Sequence, residues 1–207
     1  MAHFPFFIDL SAGDGLIVGG GAVALRKIEK LLEYGARLTV CAPELLPEIE
    51  AVPGLTLLRR PFEPSMAEGK LFVIAAAGDG ALNRQIAALC REKHVPVNVV
   101  DDRDSCTFLF PALVKQGPLC VGISTGGTSP SAAVYWKQRI AQTIPPDTGA
   151  MLDYLGSLRE TVRAAVPDEQ ARSAVFAALF DSCLTKGWPL ERAELEHLLR
   201  LPVEGTR

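Results

Sequence analysis

The chain has 207 residues, enough for one or two domains with a real core, and its 48% hydrophobic and 22% charged content is ordinary for a soluble globular protein. A formal net charge of −3 excludes the basic surface that a general nucleic-acid binder needs. No apolar run approaches the roughly 18–20 uncharged residues of a membrane-spanning helix. Residues 15–19 form a short apolar strand, and residues 22–34 repeat Val23, Leu25, Ile28, Leu31 and Leu32 at helical spacing, with Gly35 as the stop. Residues 37–41 predict a second strand, 43–51 a short helix and 55–59 a third strand. The buried-type run at 70–76 predicts a fourth strand, 79–94 a helix and 97–100 a fifth strand. Alternation of this kind predicts an α/β domain with a Rossmann-like parallel sheet.

The character changes after residue 112. Residues 112–114 and 119–123 flank Lys115-Gln116-Gly117-Pro118, a hairpin turn. A Gly/Ser/Thr loop at 124–129 leads into a helix with Ser129 as N-cap and Pro130 at its first position, ending near residue 142 before Pro145-Pro146. The rest predicts helices over 151–166, 167–186 and 190–199, and a frayed tail at 202–207. The elements therefore divide the chain into 1–112, an α/β domain, 113–147, a hairpin and the helix after it, and 148–207, a helical C-terminal domain.

Chemistry concentrates in three places. Leu16-Ile17-Val18-Gly19-Gly20-Gly21-Ala22-Val23-Ala24 fits G-x-G-x-x-A between a strand and a helix. Gly19 permits the tight turn, Gly21 lets a pyrophosphate approach the backbone, and Ala24 lets the helix pack closely; the phosphates then meet the helix N-terminus. The plain alternative is a glycine-rich turn with no ligand. Asp101, at the carboxyl end of the fifth strand, is placed to take a proton or orient a substrate, or else belongs to a solvated acidic turn with Asp102 and Asp104. Ser124-Thr125-Gly126-Gly127-Thr128-Ser129-Pro130 offers hydroxyls and flexible backbone to a carboxylate or phosphate, or is only a capped loop. Arg26 and Lys27 either meet an anion or form a charged outer face. Phe4, Phe6 and Phe7 are expected in core or edge-strand packing.

Cys41 stands about where a dinucleotide fold places the ribose-binding acid, so that position leaves NAD and NADP open. His3, His94 and His197 share no spacing for a metal site or a triad. The five cysteines, Cys41, Cys90, Cys106, Cys120 and Cys183, form no C-x-x-C and fit a reducing cytoplasm. The N-terminus lacks a basic region and a cleavage site, so no signal peptide is expected.

Taken in order, these segments resemble the precorrin-2 dehydrogenases of siroheme synthesis, including the N-terminal module of multifunctional siroheme synthase. Residues 5–10 look like the family's opening strand and LIVGGGAVALRK (residues 16–27) like its cofactor loop. Ile74-Ala75-Ala76-Ala77-Gly78-Asp79 with Asn83 is similar to its Ala-Ala-Thr-Asp segment. NVVDDRDSCTFLFPA (98–112) resembles its active-site segment and GISTGGTSP (122–130) its substrate-side loop. Gly78 departs from the usual Thr, and Thr125 stands where some multifunctional members carry a serine, which leaves phosphorylation at that position open.

The resemblance implies NAD-dependent oxidation of precorrin-2 to sirohydrochlorin in a homodimer, with 113–147 as the dimerisation region. It implies Asp101 as the catalytic carboxylate. The cofactor residues it implies are Gly19, Gly20, Gly21, Ala22, Val23, Cys41, Ala42, Pro43, Ala76, Ala77, Asp79 and Asn83. It implies Ser124, Thr125, Gly126 and Gly127 for the substrate's carboxylates, in an active site between the cofactor domain and the region after residue 112. Some members also insert ferrous iron into the product; no His/Cys constellation in this sequence marks a metal site. No methyltransferase domain is expected after Arg207. Two rivals stand: a non-catalytic NAD-sensing module, which would need no carboxylate beside the nicotinamide, and a hydroxy-acid dehydrogenase, which would pair a catalytic His with an Arg.

Overall fold

A computed structural model describes residues 4–200. The chain divides into two compact units, one comprising the residues up to Pro111 together with Ser124–Pro130, the other Ala112–Ile123 and the residues from Ser131 on.

In the first unit, β1 (Asp14–Val18), β2 (Arg37–Cys41), β3 (Thr56–Leu58), β4 (Phe72–Ala75) and β5 (Val97–Val99) form one parallel sheet in the order β3-β2-β1-β4-β5. The central strands read as continuous apolar runs because both faces are covered: Leu16, Ile17, Val73 and Ile74 are fully buried. On one face lies α1 (Ala22–Leu32), which buries Ala24, Ile28 and Leu31. On the other lies α3 (Gly80–Glu92), which buries Ile86, Ala87 and Cys90. The chain leaves β1 toward β2 and β3, then returns to place β4 on the other side of β1. The carboxyl ends of β1 and β4 therefore flank the topological switch point, where open α/β sheets bind ligands.

Several expected elements shift for local reasons. The helix expected over 43–51 forms only as α2 (Pro47–Glu50). Leu46 precedes a proline and is held extended, and its N–H donates to the Gly20 carbonyl at 2.9 Å. No strand forms over residues 5–10; a 3₁₀ turn at Leu10–Ala12 leads into β1 instead. Pro5 lacks an N–H, and β1 already has β2 and β4 as neighbours. Correspondingly Phe4, Phe6 and Phe7 are 76–78% exposed, so they pack in neither a core nor an edge strand. The stop at Gly35 forms as expected, with φ +72°.

In the second unit, β6 (Ala112–Gln116) and β7 (Leu119–Ile123) make an antiparallel hairpin. Its turn requires Gly117, which has φ +53° and where a Cβ would lie 3.0 Å from the Gly149 Cα. Helix α4 (Pro130–Thr143) follows. The helix expected over 151–166 divides into α5 (Thr148–Ser157) and α6 (Arg159–Ala165). Gly156 and Ser157 are poor helix interiors, and the Ser157 hydroxyl donates to the Tyr154 carbonyl at 2.6 Å. Helices α7 (Glu169–Lys186, capped by the Asp168 carboxylate) and α8 (Arg192–Leu199) complete a small core around Val162, Val175, Leu179 and Leu198. The tail expected to fray at 202–207 lies outside the described residues. Among those described, no helix is long and apolar enough to cross a membrane.

Candidate functional site

The glycine loop joins β1 to α1, and its three glycines do different work. Gly19 has φ +137°, and a Cβ on it would lie 2.3 Å from the Ala76 carbonyl oxygen, so this position needs glycine for the turn and for the approach to β4. A Cβ on Gly20 would lie 2.0 Å from the Glu44 carbonyl oxygen, so Gly20 admits the segment after β2. Gly21 is the opposite case. A Cβ there meets nothing within 4 Å, and its φ of −96° suits any residue. Gly21 is also the N-cap of α1, with no side chain capping the helix. The first-turn N–H groups, those of Ala22 and Val23 among them, therefore open onto unfilled space, the arrangement an anion requires. Ala24, fully buried, allows close packing of α1 on the sheet.

Beside the loop lies a cleft of about 140 Å³ lined by Gly19, Cys41, Ala42, Pro43 and Ala77, all expected from sequence, and by Val18, Pro61, Phe62 and Leu82, which sequence reasoning missed. Val18 ends β1, Pro61 and Phe62 follow β3 and Leu82 opens α3, and only the strand order shows that these stretches converge. Cys41 is fully buried, with its Sγ 3.2 Å from the Arg60 carbonyl oxygen and 3.5 Å from the Met66 Sδ. Burial pushes its thiol pKa up, so the group stays protonated and serves as a wall. The end of β2 thus holds no carboxylate for a ribose.

At the end of β4, Asn83 reaches back from α3. Its Nδ2 donates to the Ala77 carbonyl at 2.9 Å and its Oδ1 accepts from the Ala77 N–H at 3.1 Å. This closed pair fixes the turn Ala76-Ala77 beside Gly19. The Asp79 carboxylate accepts from the Ala81 N–H at 2.8 Å and caps α3. Lys27 is half-buried with its ammonium 3.7 Å from the centre of the Phe110 ring; burial lowers its pKa. It is therefore not a charge on a solvated outer face.

The segment after β5 folds back along that strand. The Thr107 N–H donates to the Val97 carbonyl at 2.8 Å, and its Oγ1 accepts from the Val97 N–H at 2.7 Å. Asn98 Nδ2 donates to the Phe108 carbonyl at 3.0 Å, and Cys106 Sγ accepts from the Val99 N–H at 3.1 Å. Side chains thus satisfy an otherwise open sheet edge. Burial raises the Cys106 thiol pKa. Asp102 accepts from the Ser105 hydroxyl at 2.8 Å and from its N–H at 3.2 Å, bonds that hold its carboxyl below the usual range.

Asp101 stands apart. It is exposed, has φ +59°, and its side chain has no hydrogen bond or ion pair among the described residues. A non-glycine residue held in the left-handed region at a strand's carboxyl end is the kind of outlier that collects at functional sites. Of the two adjacent aspartates, Asp101 is exposed and Asp102 is half-buried under Ser105.

The loop Ser124–Pro130 belongs to the same unit as this turn. Within it, Ser124 Oγ accepts from the Gly126 N–H at 3.1 Å, and Thr125 Oγ1 donates to the Ser129 carbonyl at 3.0 Å. Gly126 and Gly127 have φ +62° and +78°. Among the described residues no three His, Cys, Asp or Glu side chains converge to hold a metal ion.

A family model described as putative NAD(P)-binding matches residues 6–112, more than half of the chain. The chain belongs to this putative NAD(P)-binding family. Within this NAD(P)-binding family member, the glycine loop, the cleft and the Asp101 turn all fall inside the matched segment.

The chain is 38% identical over 189 residues to the siroheme synthase of Thioalkalivibrio sulfidiphilus, covering 90% of this chain and 39% of the relative. It is 41% identical over 175 residues to that of Methylococcus capsulatus, covering 83% and 37%. The siroheme synthase of Pseudomonas entomophila is 35% identical over 210 residues, covering 100% and 45%. The chain therefore spans about two fifths of the length of these curated relatives. Among solved structures, "SirC, precorrin-2 dehydrogenase" shares the fold, with a TM-score of 0.73 at 22% identity over 96% of this chain and 98% of that one. The resemblance to siroheme synthases drawn from the motifs is borne out by these relatives, and the Rossmann-like fold by this structure.

Proposed function

We propose that the chain oxidises precorrin-2 to sirohydrochlorin with NAD as the hydride acceptor, as a step of siroheme synthesis. The observation that carries this reading is the Asp101 turn: a strained, unpartnered carboxylate at the end of β5, in the same sheet whose switch point holds the open glycine loop. The relatives' names support the substrate. A sensor of NAD would have no use for such a carboxylate.

NAD, when bound, accepts a hydride, and one proton leaves the macrocycle as its conjugation extends. The residues fit the cofactor. Gly21 and the N–H groups of Ala22 and Val23 receive the pyrophosphate; Cys41, Ala42 and Pro43 wall the adenosine end; Ala76 and Ala77, clamped by Asn83, floor the switch point; Asp79 holds the start of α3. Asp101 takes the departing proton or orients the ring. Ser124, Thr125, Gly126 and Gly127 receive substrate carboxylates. The chain works in the cytoplasm as a homodimer. In support of pairing, α4 buries none of its residues, Val134, Tyr135 and Trp136 are each at least 50% exposed, and an isolated two-stranded sheet such as β6–β7 is marginal alone. NADH formation on anaerobic mixing with precorrin-2 and NAD tests the proposal; NAD binding without turnover would favour the sensor.

A further inference from the structure

We propose that Arg103 binds a peripheral carboxylate of the tetrapyrrole and so sets the ring against Asp101, an inference that rests on the function proposed above. Between Asn98 and Phe110 most polar side chains have structural work. Asn98, Cys106 and Thr107 satisfy the open edge of β5, and Asp102 and Ser105 brace the turn. Arg91, from α3, donates to the Asp104 carbonyl at 2.7 Å and holds the same turn from outside. The Arg103 guanidinium has no hydrogen bond or ion pair among the described residues, although two carboxylates, Asp102 and Asp104, are its chain neighbours.

It is nevertheless not a side chain loose in solvent. A Cβ on Gly127 would lie 2.7 Å from Arg103 Cδ and 2.9 Å from its Nε, so the arginine lies directly against the backbone of the substrate-side loop. Gly127 leaves room for it, and any side chain there would displace it. Ordering an exposed arginine costs rotamer entropy, and no bond within the protein offsets that cost. A ligand carboxylate would, because the planar guanidinium accepts it in a two-bond fork. Precorrin-2 is rimmed with acetate and propionate groups. Arg103 and Asp101 lie two residues apart on one turn, so one grips the rim while the other faces the ring.

The test compares the parent with Arg103→Gln, Arg103→Lys and Gly127→Ala. The last keeps the charge but pushes the guanidinium away. Arg103→Gln should raise the KM for precorrin-2 about 10- to 100-fold, the usual worth of a hydrogen bond to a charged group. It should leave kcat within a few-fold and the NAD Kd unchanged. Arg103→Lys should recover part of the loss, Gly127→Ala should raise KM in the same direction, and the surface control Arg192→Gln should not. Product binding, followed by quenching of tryptophan fluorescence, should weaken in parallel.

A parent that neither binds nor oxidises the tetrapyrrole overturns the proposed function itself. A parent that does both, with Arg103→Gln indistinguishable from it, overturns only the role of Arg103. So does a variant in which NAD affinity falls and the precorrin-2 KM does not, which would assign the guanidinium to the cofactor's phosphates.

Discussion

Replacing Gly21 with aspartate separates ligand binding from folding more cleanly than any other change in this chain. The site is sterically free: φ is −96°, which any residue adopts, and an added Cβ meets nothing within 4 Å. Gly21 is the N-cap of α1, where aspartate is a preferred residue and improves on glycine by a few tenths of a kcal/mol. Thermal stability should therefore hold or rise slightly. The new carboxylate points into the space assigned to the pyrophosphate. Two like charges about 4 Å apart cost about 4 kcal/mol at an effective dielectric of about 20. Screening at this exposed position reduces that to about 2–4 kcal/mol, or about 30- to 700-fold in Kd. Calorimetric titration of NAD, beside a thermal melt, reads both quantities. Gly21→Ala should fall between parent and aspartate. An Asp variant that melts normally and binds NAD within a few-fold of the parent would refute the placement of the phosphates at this helix end.

Asp101→Ala should lose about 10²- to 10⁴-fold in dehydrogenase rate while NAD affinity stays put, whereas Asp104→Ala should stay within a few-fold. A largely active Asp101→Asn would assign Asp101 to orientation, and an inactive one to proton transfer. Asn83→Ala strands the half-buried N–H and carbonyl of Ala77 and should cost about 1 kcal/mol in chemical denaturation; an unchanged midpoint would contradict the clamp. Glu194 accepts from Lys186 at 2.7 Å and from Ser182 at 3.0 Å, and these bonds hold its pKa below the ordinary range. Its contribution is present above the unfolded-state pKa and is lost as pH falls through the lower folded-state value. The stability gap between parent and Glu194→Gln should thus be constant near neutrality and close in acid. Sedimentation at micromolar concentration should give about twice the chain mass, and a fully active monomer would refute the homodimer.

The strands and helices of the first unit were legible because their patterns are local. The apolar run Leu16–Val18, the helical spacing of Ile28 and Leu31, and the stop at Gly35 each act within one element. The glycine loop was legible for the same reason, although sequence alone could not divide its labour: Gly19 and Gly20 are constrained by Ala76 and Glu44, residues far along the chain. The failures are those of context. The Phe-rich start is apolar enough for a strand, but β1, the strand it leads into, is already paired on both sides. Residues 151–166 carry one helical pattern that Gly156 and Ser157 interrupt.

In the candidate site, Asp101 was placed from its position after β5, but its left-handed backbone and the half-burial of Asp102 depend on how residues 102–107 fold back. Arg103 carries no sequence signal, since only the fold lays it against Gly127. Pro61 and Phe62 reach the cleft through the strand order alone.

The central claim, that a bound NAD takes a hydride from precorrin-2 on this chain, is tested most directly by anaerobic mixing of the protein with both compounds while absorbance is recorded. The account predicts NADH and sirohydrochlorin appearing together, one for one, at a rate that collapses in Asp101→Ala. NAD binding of ordinary affinity with no NADH formed from precorrin-2 would contradict it.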